Sequence, residues 1–219
     1  MVGGTAVGYG VQAEREPTPL PALSQPGLTY PAKPLAADRR PAALTAAEDH
    51  QVKTEGDLRK LLLPKPAGAR SVDAEWLDEG EMDLQSYAQW FESPQRAVAD
   101  LLARDMRRGA GARWTKGERE WSVNLVQFEN YEGASMFMDS QDNYMPGLTG
   151  GDEGDLLSYT EQGRTYIHAV KKNAGYKPLY QARALVQRGN IMADIHLYDT
   201  EPIGKKEIGT LARQQWERL

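Results

Sequence analysis

The 219-residue sequence contains no cysteine, so it offers no disulfide, no thiolate nucleophile and no cysteine-ligated zinc. It has no apolar run long enough to span a bilayer. The longest uncharged stretch near the start, residues 1–13, falls short of the roughly 18–20 apolar residues required. Nucleophile and phosphate-binding signatures are missing too. There is no G-x-S-x-G, H-E-x-x-H or Walker loop, and Gly8-Tyr9-Gly10 precedes no strand-to-helix turn. Positive charge is not in excess. A net charge of -5 without a basic stripe disfavours nucleic acid as a partner.

The N-terminal region is rich in small residues and proline. Residues 2–10 are small, apolar and glycine-rich with a tyrosine near the end, a composition expected of the trailing end of a transmembrane segment, or else of a disordered start. Residues 14–42 carry prolines at 17, 19, 21, 26, 31, 34 and 41. Proline at that density blocks helix and sheet hydrogen bonding and favours an extended linker. The expected folded domain is therefore 43–219, preceded by a stalk.

Within that domain the pattern predicts an α+β fold, with an antiparallel sheet covered by helices. Capping-box spacing at 54–57 predicts a short helix through Leu62, and a strand-like piece follows over 69–76. Helices are expected over 83–91 and from Ser93-Pro94 to about 108, the second carrying an apolar stripe. A hairpin is expected over 112–129, with Trp121, Val123 and Leu125 sharing a face, and then a helix over 131–140. Residues 142–155, rich in Gly, Asp and Asn, read as an exposed loop. Three alternating segments, 164–171, 180–187 and 190–198, read as strands, with an Arg188-Gly189 turn joining the last two. That turn places Val186 opposite Ile191, Ala184 opposite Ala193 and Arg183 opposite Asp194, leaving one face apolar and the other polar. A closing helix over 205–218 lays Ile208, Leu211 and Ala212 on the apolar face. A short repeat, Gly68-Ala69-Arg70 against Gly111-Ala112-Arg113, each after a leucine-bearing run, would make the domain two related half-units.

Candidate chemistry is sparse. The acidic run Asp73, Glu75, Asp78, Glu79, Glu81, Asp83 lacks the glycine and twelfth-position glutamate of an EF-hand, so it reads as a solvated loop. Asp139, Asp142, Asp152, Glu153 and Asp155 read likewise. His168, Asp194 and His196 are the candidates for a two-histidine, one-carboxylate metal site, but an Arg183–Asp194 pair would already engage the carboxylate. His50 lies close to the stalk and reads as inert. The five tryptophans fall within expected elements, where core packing is the commoner use. No cofactor is expected, and the sequence reads as a non-enzyme.

Two segments carry a resemblance. One is 163–219, with R-T-Y-I-H, A-R-A-L-V-Q-R-G-N-I-M and the closing A-R-Q-Q-W-E-R-L. The other is G-A-R-W followed by V-Q-F-E-N-Y-E-G-A-S-M-F. Together they resemble actinobacterial extracytoplasmic sensor-type domains, found in cell-surface lipoproteins and in ectodomains of the PknH-like kinase-sensor class. The resemblance implies an extracytoplasmic, single-pass membrane-anchored binding or scaffold domain, engaging a protein or small-molecule ligand of the cell envelope. It transfers no functional residue, and the missing lipobox cysteine makes a membrane span before the stalk the expected anchor. Two other expectations stand beside it: an extracellular metal-dependent enzyme using the sheet histidines, and a structural subunit of a membrane-associated assembly.

Overall fold

The computed structural model describes Lys53 and residues 55–149, 153–160 and 162–219. The chain divides into two units, Met1–Ala42 and Ala43–Leu219, and all described residues belong to the second. The stalk, the N-terminal stretch, Thr54 and His50 lie outside them. No helix among the described residues is long and apolar enough to cross a membrane.

The central element is an antiparallel sheet of eight strands: β1 (Arg70–Ser71), β2 (Glu81–Met82), β3 (Met106–Lys116), β4 (Arg119–Phe128), β5 (Asp155–Leu156), β6 (Gly163–Ile167), β7 (Tyr180–Arg188) and β8 (Ile191–Asp199). Its order is β1-β3-β4-β8-β7-β6-β5, with β2 also paired to β3. Among the described residues four helices accompany it: α1 (Leu84–Ala88), α2 (Pro94–Ala103), α3 (Tyr131–Thr149) and α4 (Lys205–Trp216). The fold class is the expected α+β. The two copies of the short repeat become a 3-10 turn (Leu58–Leu61) followed by β1, and α2 followed by β3. These two strands pair with each other.

The β7–β8 hairpin keeps the expected faces but slips by two residues. Val186 opposes Ala193, Ala184 opposes Ile195 and Ala182 opposes Leu197. The cause is the turn, which uses Gly189-Asn190 with Gly189 at φ 56. A positive φ at the first central residue matches the twist of the flanking strands. The expected Arg188-Gly189 turn would put arginine in that conformation. Because side chains alternate with period two, a slip of two leaves each residue on its own side.

The first face of the sheet packs Val123, Leu125, Ala184, Val186, Ala193, Ile195 and Leu197 against α4 and the leucines around the 3-10 turn. Gln215 ties these together: its Oε1 accepts from Leu63 N at 2.9 Å and its Nε2 donates to Leu61 O at 2.8 Å. The opposite face was expected to be polar and is instead the floor of a second core. There Val126, Phe128, Leu185 and Met192 pack against Tyr87, Leu101, Ala134, Phe137, Met138 and Met145 from α1, α2 and α3. The result is three layers, with helices on both sides of the sheet.

The helix α3 corrects a second expectation. It runs to Thr149 through Pro146, across most of the segment read as a loop. Local composition loses to tertiary contacts: Gln141 and Met145 are buried, and Asp142 accepts hydrogen bonds from Tyr166 Oη at 2.8 Å and Arg164 Nε at 3.1 Å. Several other expected elements form but shorten. Asp57 caps the 3-10 turn, Asp83 caps α1, and β1 keeps two residues of its predicted eight. Conversely, β3 begins six residues early, at Met106, in place of the end of the preceding helix.

Candidate ligand-binding cleft

On the second face of the sheet, polar side chains from three strands stand side by side. They are Ser122 and Asn124 from β4, Asp194 and His196 from β8, and Arg183 from β7, and all are buried. Asn124 opposes Asp194 and Ser122 opposes His196 across β4–β8. Arg183 grips Asp194 with both arms, Nε to Oδ1 and Nη2 to Oδ2 at 2.8 Å each. Tyr87 Oη donates to the same carboxylate at 2.9 Å. The Arg183–Asp194 pair expected from sequence is therefore present, made diagonally because the register places Arg183 opposite His196. Burial alone would raise the Asp194 pKa, but the Arg183 guanidinium outweighs it, and the carboxyl lies well below its usual range. The rest of the guanidinium reaches Gln141 Oε1 at 3.1 Å and Met145 Sδ at 2.9 Å, locking α3 to the sheet.

Not every group in this column is satisfied. Both amide atoms of Asn124, Ser122 Oγ, His168 Nε2 and His196 Nδ1 are buried without a hydrogen-bond partner. His196 Nε2 lies 2.9 Å from Asp194 Oδ1 but off the line of a hydrogen bond. Unmade buried hydrogen bonds cost about 1–3 kcal/mol each, so such a concentration marks a place where the fold is not optimised for stability alone. Gly111 makes room for it: a Cβ there would meet Asn124 Oδ1 and Leu77 Cδ2 at 2.8 Å.

The short helix α1 joins this column to the surface. Its cap, Asp83, accepts from Ser86 N at 2.7 Å. Tyr87 points down to Asp194, and Trp90, three residues on, lies on the same side of the turn. Trp90 covers His196 with ring centroids 4.8 Å apart, and Tyr198 stacks on the same imidazole at 6.1 Å and 4°. Trp76 meets Trp90 edge-on at 5.2 Å and 88°. Above these rings opens a cleft of about 570 Å³, lined by Trp76, Trp90, Tyr198, Arg113, Glu120 and Gln89 among others. Arg113 binds Glu120 through two hydrogen bonds, at 2.7 and 2.6 Å, and lies over the Trp76 ring at 5.3 Å. Burial, with Asp194 nearby, pushes the Tyr198 hydroxyl up to about 12. A larger depression of about 880 Å³ adjoins it across Trp76 and Ser86. Two of the arginines lining it are already engaged, Arg59 by Asp57 and Arg107 by Glu129.

Of the three metal candidates, Asp194 and His196 adjoin each other, with His196 beneath Trp90. His168 sits one residue past β6, with its backbone N–H bonded to Gln181 O at 3.0 Å. The carboxylate of Asp194 is held by Arg183 and Tyr87, and no group of three His, Asp or Glu among the described residues is arranged to hold a metal ion. The acidic run folds as a tight turn at Glu79-Gly80, closed by Asp78 and Glu81 backbone bonds at 2.9 and 2.8 Å.

Burial lowers the His168 pKa to about 4, with His196, Arg183 and Lys171 adding to the effect. A folded pKa below the unfolded 6.5 means that the unfolded chain binds the proton first. Stability is therefore lost as pH falls from about 6.5 to about 4 and is flat above that window. The expected contribution is on the order of 1–3 kcal/mol, discounted for residual solvent access. Urea unfolding of His168→Gln should lose that part of the pH slope. A variant whose slope across the window matches wild type would contradict the assignment.

No family model matches the chain, and no curated protein does. Solved structures do match. Among them is the crystal structure of the extracellular domain of PknH from Mycobacterium tuberculosis, at 12% identity and a TM-score of 0.49, covering 77% of this chain and 97% of that one.

Sequence reasoning found Arg183, Asp194, His196 and His168 but missed Ser122, Asn124, Tyr87, Trp90, Arg113 and Glu120. The missed signal was that polar positions of the 119–128 and 191–199 strands recur at the same level. That is visible only once β4 and β8 are known to be neighbours.

Proposed function

We propose that the protein is a non-catalytic extracytoplasmic binding domain, carried at a membrane by its proline-rich segment, with the Trp76–Trp90–Tyr198 cleft as its ligand site. The observation that carries the reading is a half-buried aromatic wall standing directly on a buried polar column that the fold leaves partly unsatisfied. Ligand sites characteristically combine apolar walls with a few placed polar groups.

Placement supports it. Lys53, the first described residue, is clamped by Asn190 at the Gly189-Asn190 end of the sheet, with bonds of 2.9 and 3.0 Å. The cleft lies at the other end, beside the Gly117-Glu118 turn and Leu179. Lys53 and the cleft thus lie at opposite ends of the sheet. For two of the candidate residues, protonation fits a binding role. Asp194 is clamped far below neutral pH and His168 titrates at about 4, so neither exchanges a proton readily near pH 7.

Trp90→Ala in the full chain tests the reading. Wild type and variant are incubated with cell-envelope extract, and the small molecules that co-elute are identified by mass spectrometry. A species retained by wild type and lost about tenfold or more by the variant is expected. Equal retention removes the cleft from consideration, and conversion of the retained species to a new mass refutes the non-catalytic role. Labelling of intact cells with a membrane-impermeant amine reagent checks location; protection of every lysine would place the domain inside.

A further inference from the structure

We infer that the ligand of this cleft is a neutral carbohydrate, an inference that rests on the cleft being the binding site. The charges at its mouth are already spent. Arg113 is held by Glu120 through two bonds, and Glu118 is held by Lys177 at 2.8 Å. The lining carries one cation, Arg113, and two anions, Glu120 and Glu118, the second paired with Lys177 just outside the cleft, so an anion would have to draw Arg113 away from Glu120 and a cation would have to compete with Arg113 and Lys177. A ligand without net charge binds these side chains as they stand.

The rings offer a flat ligand no slot to enter. Trp76 and Trp90 meet at 88°, which forms a corner and not a slot, so a planar base or flavin cannot be sandwiched between them. A pyranose suits a corner. Its C–H face carries slight positive charge and settles on the negative face of one indole, while its equatorial edge stays free to hydrogen-bond. Hydroxyl groups act as donor and acceptor at once, and the cleft supplies both: the Ser86 hydroxyl, the Gln89 amide, the remaining guanidinium N–H of Arg113 and the carboxylate of Glu120. An apolar ligand would leave these groups desolvated and unpaired. Underneath, Trp76 Nε1 and His196 Nδ1 are buried without partners, which adds unused hydrogen-bonding capacity next to the rings.

The test uses the full chain, with intrinsic tryptophan fluorescence and calorimetry as readouts. The probes are short neutral oligosaccharides of gluco, manno, galacto, arabino and N-acetylglucosamine types, and choline, inorganic phosphate and indole as the charged and flat alternatives. At least one oligosaccharide is expected to bind saturably, with an affinity that scarcely changes with salt because no net charge is exchanged. Trp90→Ala should weaken that binding by about tenfold or more. Gln89→Ala, an exposed change that leaves the fold intact, should weaken it by a few-fold. Binding of choline, phosphate or indole through Trp90 with no saccharide response overturns the carbohydrate class and leaves the cleft standing as a site. Saccharide binding unaffected by both variants overturns the location. If no probe perturbs the tryptophans and Trp90→Ala also retains the envelope species bound by wild type, both the class and the cleft are wrong.

Discussion

Replacing Arg183 with methionine is expected to destabilise the protein by about 3–5 kcal/mol, because it leaves a buried carboxylate without its cation. Asp194 is fully buried, and with Arg183 gone only the Tyr87 hydroxyl and the edge of His196 remain beside it. Arg183 also holds Gln141 and Met145, so the grip of α3 on the sheet loosens at the same time. The pH dependence identifies the cause. In wild type the Asp194 pKa is depressed, so its stabilisation is present above about 3.9 and lost as pH falls below. Without Arg183, burial raises that pKa, and the penalty grows as pH rises through the unfolded value. Arg183→Met should thus recover relative to wild type on moving from pH 7 towards pH 4. Adding Asp194→Leu should restore most of the loss at pH 7, since an apolar pair of similar volume replaces a buried ion pair at little cost. Urea unfolding at both pH values decides it. A loss below about 1 kcal/mol, or no rescue by the double variant, would show that the pair is not what secures this layer.

The sheet faces were legible from the start. Alternation over 180–187 and 190–198 assigned each side chain correctly even though the turn was misplaced, because a shift of two residues preserves the pleat. The partners were less legible, since Arg188-Gly189 and Gly189-Asn190 differ only in which residue must take a positive φ. The reading of the second face as polar failed for a different reason. Arg183, Asp194 and His196 suggested solvent, yet these groups are buried against α1 and α3, with Arg183 and Asp194 bonded to each other. A buried polar column and a solvated face look alike along one strand. Only strand order, with β4 beside β8, separates them.

The cleft was harder still. Trp114 and Trp121 are buried as expected, but Trp76 and Trp90 line the opening. Nothing in the spacing of residues 76 and 90 announces their meeting, which depends on Tyr87 reaching Asp194 more than a hundred positions away. The hairpin that carries Arg113 and Glu120 was legible, whereas the place of Arg113 over Trp76 was not. The chemistry of the site therefore arises from tertiary contacts that no local pattern encodes.

The same reasoning makes Phe137→Ala the second large effect, an expected loss of about 3–5 kcal/mol. Phe137 is 1% exposed and its ring lies 5.5 Å from Phe128, 6.3 Å from Tyr87 and 6.3 Å from Phe91. It therefore bridges α3, the sheet and the chain around α1. Truncation removes the burial of an aromatic ring and leaves a cavity that these neighbours fill only in part. Leu102→Ala is the control, because Leu102 is 61% exposed on α2 and its loss should stay within about 0.5 kcal/mol. Phe137→Ala carries a second readout. Tyr87 and Trp90 belong to the same short segment, so slackening beneath Tyr87 should expose Trp90 and red-shift its emission before global unfolding. A loss near that of Leu102→Ala would mean that the helices on this face rest on the sheet without forming a core with it. The buried polar column would then lack the enclosure on which its electrostatics depend.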